Sequence, residues 1–478
     1  MCRIAETKEK RSLTNKAMKY NKITILLPAL CVLLLSACSG IGVFLGQVAQ
    51  FELPAAWGMP ANPDATAGKH QEGQPMITAD ASGHGRFEPT PTNIVAPNAG
   101  AAEWLVNCDE SVSLREAPDY GAKSIRKVLK GESVEVLGFI GVFAKVKYGS
   151  LEGYILSSYV KPESGGFESE LRIVRPVENY SYGQMLDDME KLKKKYPSKV
   201  TLGSIGRSEE GADIPVMIVG SPDAKHQVLV QGAMHGREHA TAWLVMAQAE
   251  YMLASGSRDF MGGTIKEALR NVSFHIIPMS NPDGVKISQQ RVLSKQQMAI
   301  YESDRAKGYT KSSPAEYAAL WKANARGVDL NRNFDASWDE LDIRDQPSTE
   351  RYKGTAPVDQ NESRALAQYA LKHSFAATVS YHATGSLLYY DYGDDVSVVK
   401  RSYDLAIAIQ DVTGYAPTKD DELDAGGFKD WAMAHGGIPS VTVEVGCQDA
   451  PLQEREIYAL YERNKLVLPA VAAWVKKG

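Results

Sequence analysis

Residues 226–239, HQVLVQGAMHGREH, join an apolar run to a group of polar side chains that suit metal binding. The run Val228 to Val230 predicts a strand, and Gly236 predicts a turn after it, because glycine is unfavourable inside a helix. The turn delivers His235 and Glu238 together at the end of the strand. An imidazole and a carboxylate placed there are the ligands of a catalytic zinc site that leaves room for water. This stretch therefore predicts a metalloenzyme.

The same stretch contains H-x-x-E-H, from His235 to His239, which is the signature of a different class of zinc peptidase. In that alternative, both histidines bind zinc from one face of a helix and Glu238 is the general base rather than a ligand. We favour the strand-end interpretation, with a helix beginning near His239, because Gly236 disfavours a helix through both histidines.

His382 is the best candidate for a third ligand among the nine histidines. It ends the apolar run Ala376 to Tyr381, and Ala383-Thr384-Gly385 follow it, so it lies where a strand opens into a loop. Ligand sites in open α/β sheets are built at such edges. His275, by contrast, lies inside an apolar run and is expected to be a core residue.

Two further segments carry chemistry-bearing side chains. Residues 327–334, GVDLNRNF, place Asp329, Asn331 and Arg332 in a short span, and an arginine beside amides suits bidentate capture of a carboxylate. Residues 440–446, SVTVEVG, place Glu444 inside a β-branched run, where an acid is costly to bury unless it is used or paired.

In this order, these segments resemble the zinc carboxypeptidase family typified by carboxypeptidase A, from about Val177 to the C-terminus. The resemblance implies one zinc ion per chain, with ligands His235, Glu238 and His382. It implies that Glu444 is the general base, which activates the zinc-bound water and passes its proton to the leaving amine. It also implies a group that holds the terminal carboxylate of the substrate, namely Arg237, Asn331 and Arg332. Asp329 matches the acid that orients the first zinc histidine.

One catalytic position departs from the family pattern. Where the family has an arginine that polarises the scissile carbonyl, this chain has Lys322. Either Lys322 acts there as a point charge or the nearby Arg326 takes over the role.

The specificity region is residues 424–431, DAGGFKDW, in which Lys429 falls where the family reads the released residue. Glu422 falls where pancreatic-type enzymes carry a tyrosine that closes over the substrate. With no opposing acid evident, Lys429 is expected to favour a released residue with an extra carboxylate, unless its side chain points to solvent.

Three segments resemble one branch of the family, the bacterial γ-D-glutamyl-diamino acid peptidases that act on cell-wall peptides: WKAN (321–324), YHATG (381–385) and GGFKDW (426–431). Diaminopimelate carries a second carboxylate, which Lys429 would pair. The branch and the charge of the pocket therefore predict the same substrate.

The N-terminus resembles a bacterial lipoprotein signal. Lys16, Lys19 and Lys22 precede an apolar run from Ile23, and LSAC at 35–38 places Cys38 as the lipidated first residue of the mature chain. Met18 is an alternative start. A membrane-spanning helix within residues 23–51 is the alternative interpretation, since no charge occurs there. Both interpretations predict an extracytoplasmic, membrane-anchored protein at the bacterial cell surface.

Charge and cysteine content exclude other classes. Without residues 1–37, the chain has 46 Lys and Arg against 56 Asp and Glu, a net charge of −10, which argues against a nucleic-acid partner. Only Cys108 and Cys447 remain beyond the signal and Cys38, so no disulfide framework is expected. Cys447 is interpreted as a packing residue rather than a nucleophile.

We predict four regions: a signal at 1–37, a flexible linker rich in Pro, Ala and Gly at 38–102, a bacterial SH3-like all-β barrel at 103–163, and a catalytic domain at 172–478. The catalytic domain is expected to be α/β, with a central mixed sheet flanked by helices. The polar stretch 285–319 is expected to cover one rim of the cleft.

The predicted function is zinc-dependent hydrolysis of peptidoglycan stem peptides at the γ-D-glutamyl-diaminopimelate bond. The SH3-like domain is expected to bind the cell wall, with packing as the alternative role. Two other functions stay open: a general metallocarboxypeptidase that acts on ordinary peptides, and a non-catalytic wall-binding lipoprotein. The intact set of His235, Glu238, His382 and Glu444 favours an enzyme.

Overall fold

The computed structural model describes residues 94–95, 103–163, 170–177, 179–419 and 425–477. The predicted signal, Cys38, Glu422 and most of the predicted linker lie outside these ranges. So does the candidate membrane span within 23–51. Among the helices of the described ranges, none has the length and apolar character that a bilayer crossing needs.

Residues 103–163 form the predicted all-β domain. Its seven strands pair in the order β3-β2-β6-β5-β4-β1-β7, and every pairing within it is antiparallel. The strands are β1 Trp104–Val106, β2 Ser111–Arg115, β3 Ser124–Leu129, β4 Ser133–Ile140, β5 Phe143–Tyr148, β6 Leu151–Leu156 and β7 Val160–Pro162. Alternate residues of β2 and β4 point into a core that includes Trp104, Leu114 and Val136.

Part of the predicted linker belongs to this domain. Val95 pairs with Phe139 of β4 through two backbone hydrogen bonds of 3.0 and 2.8 Å. A Cβ on Gly138 would lie 2.8 Å from the Val95 carbonyl oxygen, so the glycine permits this close approach. Val95, which lies within the predicted linker, thus forms an isolated antiparallel bridge to β4.

The catalytic domain is built on one eight-stranded mixed sheet in the order β16-β15-β17-β14-β10-β13-β9-β8. These strands are β8 Val200–Arg207, β9 Asp213–Val219, β10 His226–Gln231, β13 Val272–Ile277, β14 Phe375–Ala383, β15 Leu387–Tyr389, β16 Ala416–Thr418 and β17 Ser440–Val445. A separate two-stranded ribbon pairs β11 Asp259–Phe260 with β12 Gly263–Thr264. The four central strands β13, β10, β14 and β17 are parallel. The predicted mixed sheet is confirmed.

Eleven α-helices occur in the described ranges: α1 Tyr182–Lys195, α2 Ala240–Ala254, α3 Ile265–Ala268, α4 Pro282–Gln290, α5 Lys295–Ala306, α6 Pro314–Ala319, α7 Asn361–Leu371, α8 Val396–Thr413, α9 Phe428–Gly436, α10 Glu454–Asn464 and α11 Val467–Val475. Helix α2 is buried from Ala240 to Leu253 and packs in the larger apolar core with α11 and the central strands. Helices α7 and α9 supply residues to a second core that includes Leu229 and Ile277 of the sheet. The sheet therefore has a helical layer on each face.

Two stretches of the catalytic domain fold into more than one helix. Residues 454–475 form α10 and α11, separated at Lys465 and Leu466. The stretch 285–319 forms α4, α5 and α6, whose apolar cluster includes Tyr317 and Trp321. That cluster supports the segment that carries Lys322.

The sheet order brings the predicted catalytic segments together. Strands β10, β14 and β17 are adjacent and parallel, so their carboxyl ends lie at one edge. His382 of β14 and Glu444 of β17 are direct register partners. Side chains at the same register of neighbouring strands share a face, so these two residues lie on the same face of the sheet.

Candidate metal centre

His235 and Glu238 come from the turn that follows β10. His235 has an extended backbone, Gly236–Glu238 form a single 3-10 turn, and α2 begins only at Ala240. No helix contains both His235 and His239, so the alternative based on H-x-x-E-H does not fit this backbone. His239 is buried, and burial lowers the pKa of its imidazole to about 4.

Gly236 is required by close backbone packing. A Cβ at this position would overlap the backbone of Gly284 in α4 and would lie 2.8 Å from the carbonyl oxygen of Trp321. The Gly236 amide donates to the Lys322 carbonyl at 3.0 Å. Because glycine has no side chain, the turn that carries His235 and Glu238 can pack directly on the segment that carries Lys322.

His235, Glu238 and His382 form a buried triad in which one ligand atom from each residue lies within 4.8 Å of the others. The His235 Nδ1 lies 2.8 Å from Glu238 Oε1, and the His382 Nδ1 lies 3.1 Å from Glu238 Oε2. The two Nδ1 atoms are 3.1 Å apart. In the described ranges this is the one group of three or more such side chains that could hold a metal ion.

The donor set fits zinc. Zinc–nitrogen bonds of about 2.0–2.1 Å separate two tetrahedral nitrogen ligands by roughly 3.3 Å. The distance between the facing Nδ1 atoms is close to that value. Two ring nitrogens and one carboxylate also match the ligand number of catalytic zinc sites, which leave one position open. The residues present therefore fit the metal.

The ionisation of the triad also suits a cation. Burial alone would raise the pKa of Glu238, but the neighbouring His235 and His382 outweigh it and hold that pKa well below the usual range. Burial lowers the pKa of His382, with hydrogen bonding to Glu238 opposing it. An ionised carboxylate and a neutral imidazole are the forms that bind a metal.

Asp329 orients His235. Its Oδ1 lies 3.1 Å from His235 Nε2, and its Oδ2 accepts a hydrogen bond from the Arg351 amide at 2.9 Å. Burial acts to raise the pKa of Asp329, but His235, Lys322 and Arg332 together hold it well below the usual range. Such a carboxylate fixes the ring, and Nδ1 then faces Glu238 and His382. The geometry agrees with the role implied by the family resemblance.

Lys322 and Arg326, the two candidates for the cation that polarises the carbonyl, lie in different surroundings in the structure. Lys322 is close enough to the site to lower the pKa values of Asp329 and His382 through its charge. Arg326 instead pairs with Glu209 at 2.8 Å, and its side chain is 59% exposed. The cation beside the triad is therefore Lys322.

Glu350 is a site residue that the sequence did not reveal. Its carboxylate lies 3.9 Å from Arg237 Nη2 and 3.4 Å from Arg344 Nη2. Burial would raise its pKa, but Lys322, Arg237 and Arg344 lower it on balance. Glu350 thus compensates several positive charges beside the cleft. It occurs in no apolar run or glycine-rich turn, so no local pattern marked it.

Asn331 and Arg332 lie at the N-terminus of α9. Asn331 Oδ1 accepts a hydrogen bond from the Phe428 amide at 3.2 Å, and Arg332 Nη1 donates to the Asn331 carbonyl at 2.7 Å. A Cβ on Gly426 would lie 3.2 Å from the Arg332 carbonyl oxygen. The proposed carboxylate-binding residues and the specificity region therefore meet at this helix end.

The premise behind Lys429 needs correction. Lys429 does not point to solvent, since it is only 4% exposed. Its Nζ lies 2.5 Å from Asp430 Oδ1 and donates to the Asp391 carbonyl at 2.9 Å. An opposing acid is therefore present, contributed by the next residue in the chain. Sequence reasoning missed it because Asp430 also closes the N-terminus of α9, where its Oδ2 accepts from the Gly427 amide.

Neither described cysteine forms a disulfide. Burial raises the pKa of the Cys447 thiol to about 12, with the carboxylate of Glu456 adding to the effect. A thiol that stays protonated is a poor nucleophile. This agrees with the interpretation of Cys447 as a packing residue.

A mixed α/β sheet with a His–Glu–His triad at the ends of its parallel strands defines a zinc-dependent hydrolase. Residues 185–467 match the model of the zinc carboxypeptidase family, and residues 110–161 match that of the bacterial SH3 domain. The chain belongs to the zinc carboxypeptidase family and is a zinc metallopeptidase.

Individual relatives agree with this assignment. The chain is 28% identical over 295 residues to gamma-D-glutamyl-L-diamino acid endopeptidase 1 of Lysinibacillus sphaericus, covering 61% of this chain and 72% of the relative. It is 25% identical over 331 residues to carboxypeptidase B of Bos taurus, covering 65% and 74%. The crystal structure of thrombin activatable fibrinolysis inhibitor aligns with a TM-score of 0.50 at 21% identity, covering 62% and 74%, which supports the fold.

We predict that Gly236→Ala displaces the ligand-bearing turn, because backbone atoms of Gly284 and Trp321 occupy the space of the new Cβ. The variant should have both a lower melting temperature and a lower zinc affinity. Overpacking of this kind lowers the free energy of unfolding by about 1–3 kcal/mol. Thermal unfolding with and without chelator measures both effects.

Gly183→Ala is the matched control, since a Cβ at Gly183 in α1 meets nothing within 4 Å. It should be neutral or slightly stabilising. Equal behaviour of the two variants would contradict the packing argument.

We predict that His382→Ala loses most of its zinc, because it removes one of three protein ligands, whereas His239→Ala keeps close to one zinc per chain. Metal analysis after dialysis against a weak chelator measures the content. The reverse pattern, with zinc retained in His382→Ala and lost in His239→Ala, would contradict the assigned ligand set.

Proposed function

We propose that this metallopeptidase hydrolyses peptidoglycan stem peptides at the γ-D-glutamyl-diaminopimelate bond. The observation that carries the peptidase chemistry is the triad of His235, Glu238 and His382 with Glu444 in register beside it. The substrate proposal is supported by the similarity to gamma-D-glutamyl-L-diamino acid endopeptidase 1. It is also supported by the cationic side chains at the substrate-binding positions.

His235, Glu238 and His382 would hold the zinc ion, which would supply Lewis-acid chemistry for activating water and polarising a carbonyl. Glu444 is the general base and accepts the proton of the attacking water, a role supported by its register position beside His382. It then donates that proton to the departing amine. Lys322 stabilises the negative charge that develops on the carbonyl oxygen.

Two arginines and an asparagine orient the substrate. Arg237, Asn331 and Arg332 bind its terminal carboxylate, because a guanidinium beside an amide suits a planar anion. Arg332 is held by the Asn331 carbonyl, and Asn331 is held by the Phe428 amide, so both are preorganised. A preorganised site loses less entropy on binding than a mobile one.

A general metallocarboxypeptidase is the second candidate, favoured by the similarity to carboxypeptidase B. It would use the same catalytic residues but would require only a free terminal carboxylate. The two functions differ in whether the γ-D-glutamyl linkage and the second carboxylate of diaminopimelate increase the rate.

We also propose the cellular setting. The SH3-like domain binds the cell wall, as its family match suggests. A lipid on Cys38 anchors the chain outside the cytoplasmic membrane, which the positively charged and apolar sequence before Cys38 supports. These two attachments hold the peptidase beside an insoluble substrate. Tethering raises the effective concentration of the enzyme at the cell wall.

We predict that Glu444→Gln lowers kcat by about 10²–10⁴-fold, because it removes the base and leaves the ligands in place. Zinc content and substrate KM should stay near the wild-type values. Glu302→Gln, an exposed change in α5, is the matched control and should turn over normally. A Glu444→Gln enzyme with near-normal kcat would overturn the assigned role of the base.

We predict that the wild type prefers a γ-D-glutamyl-diaminopimelate substrate over γ-D-glutamyl-lysine and that Lys429→Met reduces the preference, with the second substrate carboxylate sharing the Lys429 ammonium with Asp430. A full charge-assisted pair contributes roughly 1.5–3 kcal/mol, so a cation shared with Asp430 should change the specificity by about tenfold or less. The measurement is the ratio of the two kcat/KM values in each enzyme.

Lys419→Met is the matched control, because Lys419 pairs with the side chain of the same Asp391 but is 73% exposed. It should leave the ratio unchanged. If Lys429→Met also leaves the ratio unchanged, then the pairing of Lys429 with Asp430 is structural and the lysine does not read the substrate.

A further inference from the structure

The SH3-like domain is in direct backbone contact with the catalytic domain. The Gly141 amide, which follows β4, donates to the Gly414 carbonyl at the end of α8 at 3.0 Å. Gly414 has φ of +69°, and a Cβ there would lie 2.6 Å from the Phe139 carbonyl oxygen. Glycine is therefore needed both for the helix end and for the approach of the other domain.

A buried arginine links the two domains. Arg463 of α10 is 2% exposed; its Nε donates to the Thr413 carbonyl at 2.9 Å and its Nη1 to Ser157 Oγ at 3.4 Å. Its guanidinium lies over the rings of Tyr415, at 4.2 Å, and Phe139, at 5.2 Å. A buried cation is costly unless neighbours satisfy it, and here both domains contribute those neighbours.

The contact reaches the segment that follows the general base. Residues 446–448, which we name the post-base segment, begin two residues after Glu444. Gln448 Nε2 donates to Ser158 Oγ of the SH3-like domain at 3.3 Å, and the Tyr120 hydroxyl lies 3.5 Å from the Cys447 carbonyl oxygen. On its other side, the Cys447 amide donates to Glu456 Oε2 at 3.0 Å. The post-base segment is thus held between α10 and the SH3-like domain.

The post-base segment also supports the loop that follows His382. The Gly446 carbonyl accepts hydrogen bonds from the Gly385 amide at 3.2 Å and from Ser386 Oγ at 2.9 Å. A shift of the post-base segment would therefore be transmitted both to Glu444 and to the strand that carries a metal ligand. Displacements near 1 Å in an active site lower the rate by about a hundredfold.

We propose that the SH3-like domain is a positioning element of the peptidase. By holding the post-base segment, it fixes Glu444 relative to His382, and this raises kcat even for small soluble substrates. The inference rests on the proposed function, because it takes Glu444 as the base. A domain that served only to bind the wall would affect turnover of the polymer and leave turnover of a soluble peptide unchanged.

The test separates the domains at the contact. Ser158 is 1% exposed, so Ser158→Arg inserts a long cation between them, whereas Ser124→Arg makes the same change at an exposed position in β3. On soluble γ-D-glutamyl-diaminopimelate, Ser158→Arg should lower kcat roughly ten- to a hundredfold, with KM and zinc content near those of Ser124→Arg. Equal kcat values in the two variants would overturn the proposal.

Hydrogen exchange supplies a readout that needs no substrate. The amides of Gly385 and Cys447 should exchange faster in Ser158→Arg than in Ser124→Arg, because their acceptors lie in or against the post-base segment. Unchanged exchange would also overturn the proposal. If neither the wild type nor Ser124→Arg cleaves the peptide, the proposed function fails, and the exchange rates still decide the inference.

Gln448→Ala keeps the test decisive if Ser158→Arg does not fold. It removes the hydrogen bond to Ser158 without adding bulk. It should lower kcat by a smaller factor, about two- to tenfold for a loss near 0.5–1.5 kcal/mol, with KM unchanged. Wild-type kcat and exchange in Gln448→Ala would contradict the positioning role.

Discussion

The rest of the site depends on the contacts of the buried Glu238 carboxylate with the imidazole rings of His235 and His382. A carboxylate in such surroundings is stable only when positive charge or hydrogen-bond donors surround it. Its oxygens lie 2.8 Å from one Nδ1 and 3.1 Å from the other. A cation at this point satisfies all three side chains at once, which is why the arrangement defines a metal centre rather than a surface cluster.

The sheet and its loops serve this geometry. Three adjacent parallel strands end at one edge, so the triad and Glu444 come together from segments that are far apart in the chain. Gly236 lets the ligand turn pack on the backbone of α4, and Asp329 fixes the ring of His235. The backbone of the segment from Thr349 to Arg351 forms hydrogen bonds with both Lys322 and Asp329. The Thr349 carbonyl accepts from the Lys322 amide at 3.0 Å, and the Arg351 amide donates to Asp329.

The sequence predicted those site residues that differ in polarity from the run of residues around them. A polar side chain at the end of an apolar run marked His235 and His382, and an acid inside a β-branched run marked Glu444. Strand β3 carries no such signal, because only Val128 in it is buried, which leaves no alternation to detect. The edge strand β8 lacks a signal for a similar reason, since few of its residues are buried.

Features that depend on tertiary packing had no such signal. Glu350 is a site residue only because Arg237, Lys322 and Arg344 converge on it in space. Lys429 seemed to lack an acid because its partner Asp430 also caps a helix. The contact of Ser158 with Gln448 joins residues 290 positions apart, and neither side chain is unusual in its own segment.

X-ray diffraction from crystals of the zinc-loaded protein, measured on both sides of the zinc absorption edge, tests the central claim most directly. The account predicts one anomalous peak per chain, about 2.0–2.2 Å from His235 Nδ1, His382 Nδ1 and a Glu238 oxygen. A peak bound by His239, or zinc-loaded crystals with no peak between the two Nδ1 atoms, would contradict it.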